Sequence, residues 1–165
     1  EKPIVAAVNG PAIGIGTTML LHCDLVYAGE KARFQLPFVN LGVCPELASS
    51  LLLPRLMGHQ RAAEAFLLGE PFGADAAREF GLVNAVYPEE EYLDQALEKA
   101  RRLAGQPPSS VRITKALMKR PLREDVDRAI DEELGHFIAL LKGPAAAEAF
   151  LAFVERRKPD FSGCT

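Results

Sequence analysis

The first half of the chain alternates apolar runs with glycine- and proline-rich turns, a pattern typical of strands connected to helices. Residues 4–8 and 24–28 are short apolar runs bounded by turn residues, and each predicts a buried strand, the first covered on both faces. The glycine-rich segment 9–16 predicts a tight turn that leads into a helix, and residues 33–36 predict a further extended piece. This order of elements indicates an α/β fold.

The middle of the chain has the spacing of amphipathic helices. Helices are predicted over residues 47–56, 59–68 and 74–80, and the last two are followed by glycines suited to helix C-termini. Residues 82–87 predict another strand. Pro88 is predicted to open a helix whose first turn carries three glutamates, where their charge complements the helix dipole.

The last third of the chain predicts three successive amphipathic helices, over residues 109–119, 124–141 and 144–157. We therefore divide the chain into an α/β region, residues 1–106, and a helical region, residues 107–165. The apolar face of the helical region predicts packing on the same domain or on a second subunit. A freestanding three-helix bundle is the less favoured alternative, because so small a region would have a small core.

Composition narrows the class of protein. The 165 residues are 48% hydrophobic and 25% charged, which is typical of one globular domain and excludes general disorder. No apolar stretch approaches the roughly 20 residues of a membrane span, and the first residues lack the features of a signal peptide. The formal charge of −3 argues against a nucleic-acid binder.

The three cysteines are odd in number and lack C-x-x-C spacing. They therefore indicate neither a disulfide framework nor a zinc site, and we expect no metal and a reducing, cytoplasmic location. His22, His59 and His136 have no companion at ligand or triad spacing, which favours packing or surface roles. Cys44, next to Pro45, is interpreted as a small apolar wall residue rather than a nucleophile.

The most informative segment is NGPAIGIG, residues 9–16. A glycine-rich turn from strand to helix leaves backbone N–H groups free at a positive helix end, where they can hold an anion. The spacing is neither G-x-G-x-x-G nor that of a phosphate-binding loop, so simple close packing of the turn is an equally open interpretation.

Five separated segments of the chain resemble the crotonase (enoyl-CoA hydratase/isomerase) superfamily, and together they span nearly its whole length. They are KPIVAAVNGPAIGIG at 2–16, CDLVYA at 23–28, FQLPFVNLG at 34–42, AAREFGLV at 76–83 and EAFLAFVERRKPDF at 148–161. The resemblance implies the C-terminal part of a spiral of ββα units followed by a helical trimerisation region. It also implies an acyl-CoA thioester as ligand, no separate cofactor because coenzyme A is part of the substrate, and a homotrimer or homohexamer.

The resemblance also implies roles for residues in the glycine turn. Family members polarise the thioester carbonyl with two backbone N–H groups, and one of these falls on Ile15, next to Gly14. The other comes from an earlier A-G-x-D segment that this sequence does not contain. The chain therefore looks like the C-terminal part of a family member.

The two glutamates of the family's hydratases correspond to Thr18 and Phe38, neither of which transfers a proton near neutral pH. Glu46 follows the L-G-x-x-P pattern that ends at Pro45, as the single acid/base does in the Δ3,Δ2-enoyl-CoA isomerase branch. The predicted catalytic residues are Glu46 and Ile15. The predicted substrate-binding residues are Gly14, Thr18, Phe38 and Pro45.

One carboxylate is enough to move a double bond, because the same group can remove a proton at C2 and return it at C4. The favoured activity is therefore isomerisation of 3-enoyl-CoA to 2-enoyl-CoA. A hydratase or another lyase of the family, and a non-catalytic acyl-CoA-binding subunit, are the alternatives. For Glu46 itself, the alternative is an acid in the first turn of a helix, placed there by the helix dipole.

Overall fold

The computed structural model describes residues 2–164, whose strands form two small sheets. The first is parallel, with the order β1-β3-β6, and comprises β1 Val5–Val8, β3 Leu25–Gly29 and β6 Ala85–Tyr87. The second has the order β2-β4-β5 and comprises β2 Pro11–Ile13, β4 Arg33–Gln35 and β5 Phe72–Gly73. In it, β2 runs parallel to β4, and β5 runs antiparallel to β4.

Eight α-helices lie within the described residues. They are α1 Ile15–Thr18, α2 Ser49–Met57, α3 His59–Leu67, α4 Ala74–Glu79, α5 Tyr92–Ala104, α6 Pro108–Lys119, α7 Arg123–Leu141 and α8 Pro144–Glu155. Short 3-10 turns occupy Met19–His22, Val39–Leu41 and Arg120–Leu122. The α/β class and the long C-terminal helices agree with the sequence prediction.

Two apolar clusters lie on either side of the segment that follows β4. The first contains Phe34 of β4 and Ala77 of α4, and the second contains Leu36, Leu53 of α2 and Ala146 of α8, together with residues of α3. Phe34 and Leu36 are both fully buried, and Phe34 stacks on Phe72 with ring centroids 5.7 Å apart. The chain that leaves β4 is thus fixed by both clusters before it reaches Glu46.

The prediction of a strand covered on both faces is wrong for residues 4–8. Ala7 is exposed and the rest of β1 is only half-buried. The cause is position in the sheet, since β1 lies at its edge and β3 takes the centre. β3 is buried along nearly its whole length, as predicted for the second apolar run.

Two predicted boundaries also differ from the structure. Residues 9–16 contain β2 as well as a turn. The helix predicted from Pro88 begins only at Tyr92. Glu89 lies in the preceding turn, which the Glu91 N–H closes by donating to the Pro88 carbonyl at 2.9 Å, and its side chain accepts a hydrogen bond from the Lys31 backbone N–H at 2.7 Å. That contact across the fold replaces the helix-dipole role expected of this glutamate.

No single helix within residues 2–164 is both long and apolar enough to cross a membrane. The helical stretch 108–141 together with 144–155, bent by 64° at their junction, has the length and composition of a broken span.

Candidate active site

The glycine turn begins where β2 passes into α1. Gly14 has φ +55°, a conformation that side-chain-bearing residues rarely adopt, and a Cβ placed there would lie 4.0 Å from the Phe38 ring. The Gly14 N–H donates to the Gln35 carbonyl at 2.9 Å, and its own carbonyl accepts from the Thr17 and Thr18 N–H groups at 2.8 and 3.0 Å. The turn is therefore tied to β4 on one side and to α1 on the other.

This arrangement leaves the backbone N–H of Ile15, the first residue of α1, without an acceptor among residues 2–164. The Ile15 side chain is 62% exposed, so it does not pack into the core behind the turn. A free N–H at a helix start is suited to a developing negative charge. The role of oxyanion donor that the resemblance implies for Ile15 stays a prediction.

Thr17 fixes the same turn and was not singled out from the sequence. Its side chain is fully buried, and its hydroxyl donates to the Ala12 carbonyl. The same hydroxyl oxygen accepts from the Gln35 N–H at 3.3 Å. A threonine in a short apolar helix gives little sequence signal, because its partners lie in two different strands.

Glu46 lies beside α1 in space, although 28 residues separate it from Thr18. The Thr18 hydroxyl, fully buried, donates to Glu46 Oε1 at 2.5 Å. Because the Thr18 N–H also bonds to the Gly14 carbonyl, the carboxylate is held next to the glycine turn. The structure thus brings together Ile15, Thr18 and Glu46, with Thr18 contacting the carboxylate directly.

Phe38 forms part of the wall behind this group. Its ring is 5% exposed and packs against Phe66, with ring centroids 6.4 Å apart. Its edge also approaches Gly14, as described above. An apolar ring thus occupies the position that the resemblance matches to a glutamate of the family's hydratases.

The helix predicted from Leu47 begins only at Ser49, because Leu47 and Ala48 adopt left-handed conformations with φ of 57° and 55°. Glu46 therefore precedes the helix and does not belong to its first turn. The alternative interpretation of Glu46 as a first-turn acid is wrong for this geometry.

Two side chains hold the turn after Glu46. Glu133 of α7, only 6% exposed, accepts hydrogen bonds from the Ala48 N–H at 2.6 Å, the Ser50 N–H at 2.9 Å and the Ser50 hydroxyl at 2.5 Å. His22 Nε2 donates to the Leu47 carbonyl at 2.8 Å. The sequence predicts a packing or surface role for His22 and gives no signal for Glu133, whose partners lie more than 80 residues away.

Cys44 and Pro45 lie on the side of this segment that faces α7, where both line a cavity of 550 Å³. Burial raises the pKa of the Cys44 thiol, which keeps it protonated near neutral pH. This agrees with a wall residue and disfavours a nucleophile. Pro45 is half-buried in the same wall, and its predicted contact with substrate stays a prediction. Residues 2–164 contain no group of three or more His, Cys, Asp or Glu side chains placed to hold a metal.

The structure combines three features that the crotonase resemblance implied. They are a small α/β core, a helical C-terminal region and a glycine turn facing a single glutamate. Residues 1–164 match the sequence profile of the enoyl-CoA hydratase/isomerase family. The chain belongs to this family.

Relatives of different activity are about equally similar to the chain. Enoyl-CoA delta isomerase 2 of Rattus norvegicus is 38% identical over 156 residues, which are 94% of this chain and 40% of that protein. The 2,3-dehydroadipyl-CoA hydratase of Escherichia coli is 35% identical over 163 residues, 99% of this chain and 64% of that protein. Sequence identity therefore does not separate isomerase from hydratase.

Among solved structures, an enoyl-CoA hydratase/isomerase from Pseudoalteromonas atlantica superimposes with a TM-score of 0.95 at 42% identity. The match covers 98% of this chain and 65% of that one. The chain thus spans less than two thirds of the length of each of these three relatives.

Proposed function

We propose that the protein is an enoyl-CoA isomerase that converts 3-enoyl-CoA to 2-enoyl-CoA, with Glu46 as its single acid/base. The observation that carries the proposal is the hydrogen bond from Thr18 to Glu46, which holds one carboxylate beside the glycine turn. The positions equivalent to the two glutamates of the family's hydratases hold a hydroxyl and an apolar ring, and neither can exchange protons with substrate near neutral pH.

The reaction balances with this one carboxylate. Glu46 removes a proton from C2, and the electron pair moves toward the thioester carbonyl to form an enolate. The Ile15 N–H stabilises the enolate oxygen; a donor of this kind typically contributes about a hundred- to a thousandfold in rate. The electrons then return to form the C2–C3 double bond, the C3–C4 double bond opens, and Glu46 delivers the proton to C4.

The substrate supplies its own coenzyme A, so the proposal needs no separate cofactor. The nearly buried Phe38 ring near Gly14 offers no polar group that could hold a water there. For hydration, a water would have to be held and activated by a second polar group.

The decisive experiment is Glu46→Gln in the protein produced from its complete reading frame. Glutamine keeps the size of the side chain and cannot carry a proton, so 3-enoyl-CoA turnover should fall by at least about a hundredfold while acyl-CoA binding is retained. Glu98→Gln, an exposed glutamate on α5, is the matched control and should leave the rate unchanged.

The same assay tests the alternatives. Wild type and Glu46→Gln are also given 2-enoyl-CoA, whose hydration is seen as loss of the conjugated enoyl absorbance, and Phe38→Glu is included as an attempt to restore a second carboxylate. Robust hydration by wild type that is insensitive to Glu46 would contradict the isomerase proposal. Acyl-CoA binding with no turnover of either substrate would favour a non-catalytic subunit.

A further inference from the structure

The turn that follows Glu46 has a backbone conformation that its sequence does not favour. Leu47 and Ala48 are two consecutive left-handed residues, and neither is glycine. For L-amino acids this region brings Cβ too close to the carbonyl oxygen, and residues other than glycine and asparagine rarely enter it. Such a conformation persists only where surrounding contacts enforce it, and these sites often coincide with function.

Glu133 supplies those contacts from a distant part of the chain. Its carboxylate accepts three hydrogen bonds from Ala48 and Ser50, the residues on either side of the start of α2. An ionised carboxylate is acceptor-only, so all three donors match its chemistry. Its burial and its several charge-assisted hydrogen bonds make this contact a strong one.

We propose that Glu133 is a positioning residue for Glu46. By holding Ala48 and Ser50, it keeps the peptide after Glu46 in the left-handed turn, and this turn aims the Glu46 side chain at Thr18. His22 adds a hydrogen bond to the Leu47 carbonyl in the same turn. The hydrogen bonds described for the Glu133 carboxylate go to Ala48 and Ser50, not to Glu46 or the glycine turn. The inference rests on the proposed role of Glu46 in proton transfer.

The test is Glu133→Gln in the protein from its complete reading frame. The amide presents an NH₂ group where the carboxylate accepted N–H donors, so at least one donor loses its partner and the turn can relax. We expect kcat for 3-enoyl-CoA to fall by about ten- to a hundredfold, since displacement of a reacting group by about 1 Å costs this much. KM should change less than twofold. The neighbouring, exposed Glu132→Gln is the matched control and should leave both constants unchanged.

A milder variant keeps the test decisive if Glu133→Gln does not fold. Ser50→Ala removes one of the three hydrogen bonds and leaves the two from backbone N–H groups. We expect a smaller fall in kcat, of about two- to fivefold, with KM again unchanged. A merely structural role would lower the folded fraction and leave kcat per folded molecule unchanged, and that result would overturn the inference.

The double variant Glu133→Gln with Glu46→Gln shows whether one residue acts through the other. If Glu133 works through Glu46, the double variant should be no slower than Glu46→Gln alone, because the group being positioned is already inactive. A further rate loss in the double variant would overturn the inference while the role of Glu46 stands. Full activity in Glu46→Gln would instead refute the proposed function, and with it the inference.

Discussion

Thr18 cannot transfer a proton near neutral pH, but its hydroxyl helps to fix the position of Glu46, the proposed acid/base. The sequence placed Thr18 among the substrate-binding residues because it occupies the position of a hydratase glutamate. In the structure its hydroxyl contacts Glu46 Oε1, which leaves Oε2 as the oxygen not held by this bond. Thr18 thus holds one carboxylate oxygen, and the other oxygen is left by this bond for the proposed uptake and release of a proton.

Thr18→Val should therefore lower kcat for 3-enoyl-CoA by about tenfold or more, because a hydrogen bond to a charged group is worth roughly 1.5–3 kcal/mol. Valine has nearly the shape of threonine, so the fold should be retained. Steady-state kinetics with circular dichroism as a folding check would measure this, and Thr114→Val, on the exposed side of α6, serves as the control. Wild-type kcat in Thr18→Val would mean that Glu46 does not need this contact.

Much of the site at this scale could be anticipated from sequence, but its contacts could not. The glycine turn and Glu46 both stood out, the first by its glycines and the second by resemblance. Their adjacency depends on the path of the chain from β4 through both apolar clusters, which no local pattern encodes. Glu133 was missed for the same reason, since a glutamate on an amphipathic helix ordinarily lies in solvent.

At the scale of elements, the sequence predicted which segments are helices better than where they begin. α2 and α5 both start later than predicted because residues before them have other partners. Ala48 is held in a left-handed conformation by Glu133, and Glu89 binds the Lys31 N–H. Each helix start thus lies beside a hydrogen bond between segments far apart in the chain, which local sequence patterns do not predict.

The docking of α8 onto the segment before Glu46 depends on one glycine. Gly42 has φ +69°, and a Cβ there would lie 2.6 Å from backbone atoms of Ala145 and Ala146. Gly42→Ala should destabilise the protein by about 1–3 kcal/mol, because both the conformation and the contact oppose it. Urea unfolding would measure the loss.

Gly135 provides a matched comparison within α7. A Cβ there meets nothing within 4 Å, and glycine in a helix interior costs roughly 0.5–1 kcal/mol relative to alanine. Gly135→Ala should therefore raise the free energy of unfolding by about that amount. Equal effects of the two substitutions would show that close packing at Gly42 is not what holds α8.

At the scale of the whole molecule, α8 carries a large uncovered apolar surface. Phe150 and Phe153 are 70% and 79% exposed, and Val154 is 63% exposed. Apolar patches of this kind usually mark an interface. We propose that the protein assembles as a homotrimer or homohexamer through its helical region.

Replacing both phenylalanines by glutamate should shift the assembly to monomer, because two charges would have to be buried in the interface. Sedimentation velocity would measure the change. Leu67→Glu, at a similarly exposed apolar position on α3, is the control and should keep the wild-type assembly. A wild-type protein that sediments as a monomer would contradict the proposal.

The C-terminal segment is attached to α8 by a pH-sensitive contact. Arg157 donates to both Glu148 oxygens, at 2.5 and 3.0 Å, and the Asp160 N–H donates to the same carboxylate at 2.8 Å. The hydrogen bond from Arg157, followed by that from Asp160, lowers the pKa of Glu148 from 4.5 to about 2. The carboxylate is thus ionised in the folded protein well below the pH at which it protonates when free.

Because the folded pKa is the lower one, the contact stabilises the folded protein fully above about pH 4.5, and this contribution is lost as the pH falls toward 2. Glu148→Gln should therefore be less stable than wild type at neutral pH, with the difference shrinking below pH 4.5. Thermal unfolding of both proteins between pH 7 and 2.5 would measure this. A difference that does not depend on pH would contradict the assigned cause.

The hydrogen bonds that Ala48 and Ser50 donate to Glu133 also limit how this protein can be recombined with its relatives. A chimera joined near residue 106 would exchange α7 while keeping the segment that carries Glu46. Such a hybrid could fold and assemble and still be slow, if the donor's α7 lacks a carboxylate at the position of Glu133. Crossover points are safer where α7 and the Glu46 segment are inherited from the same parent.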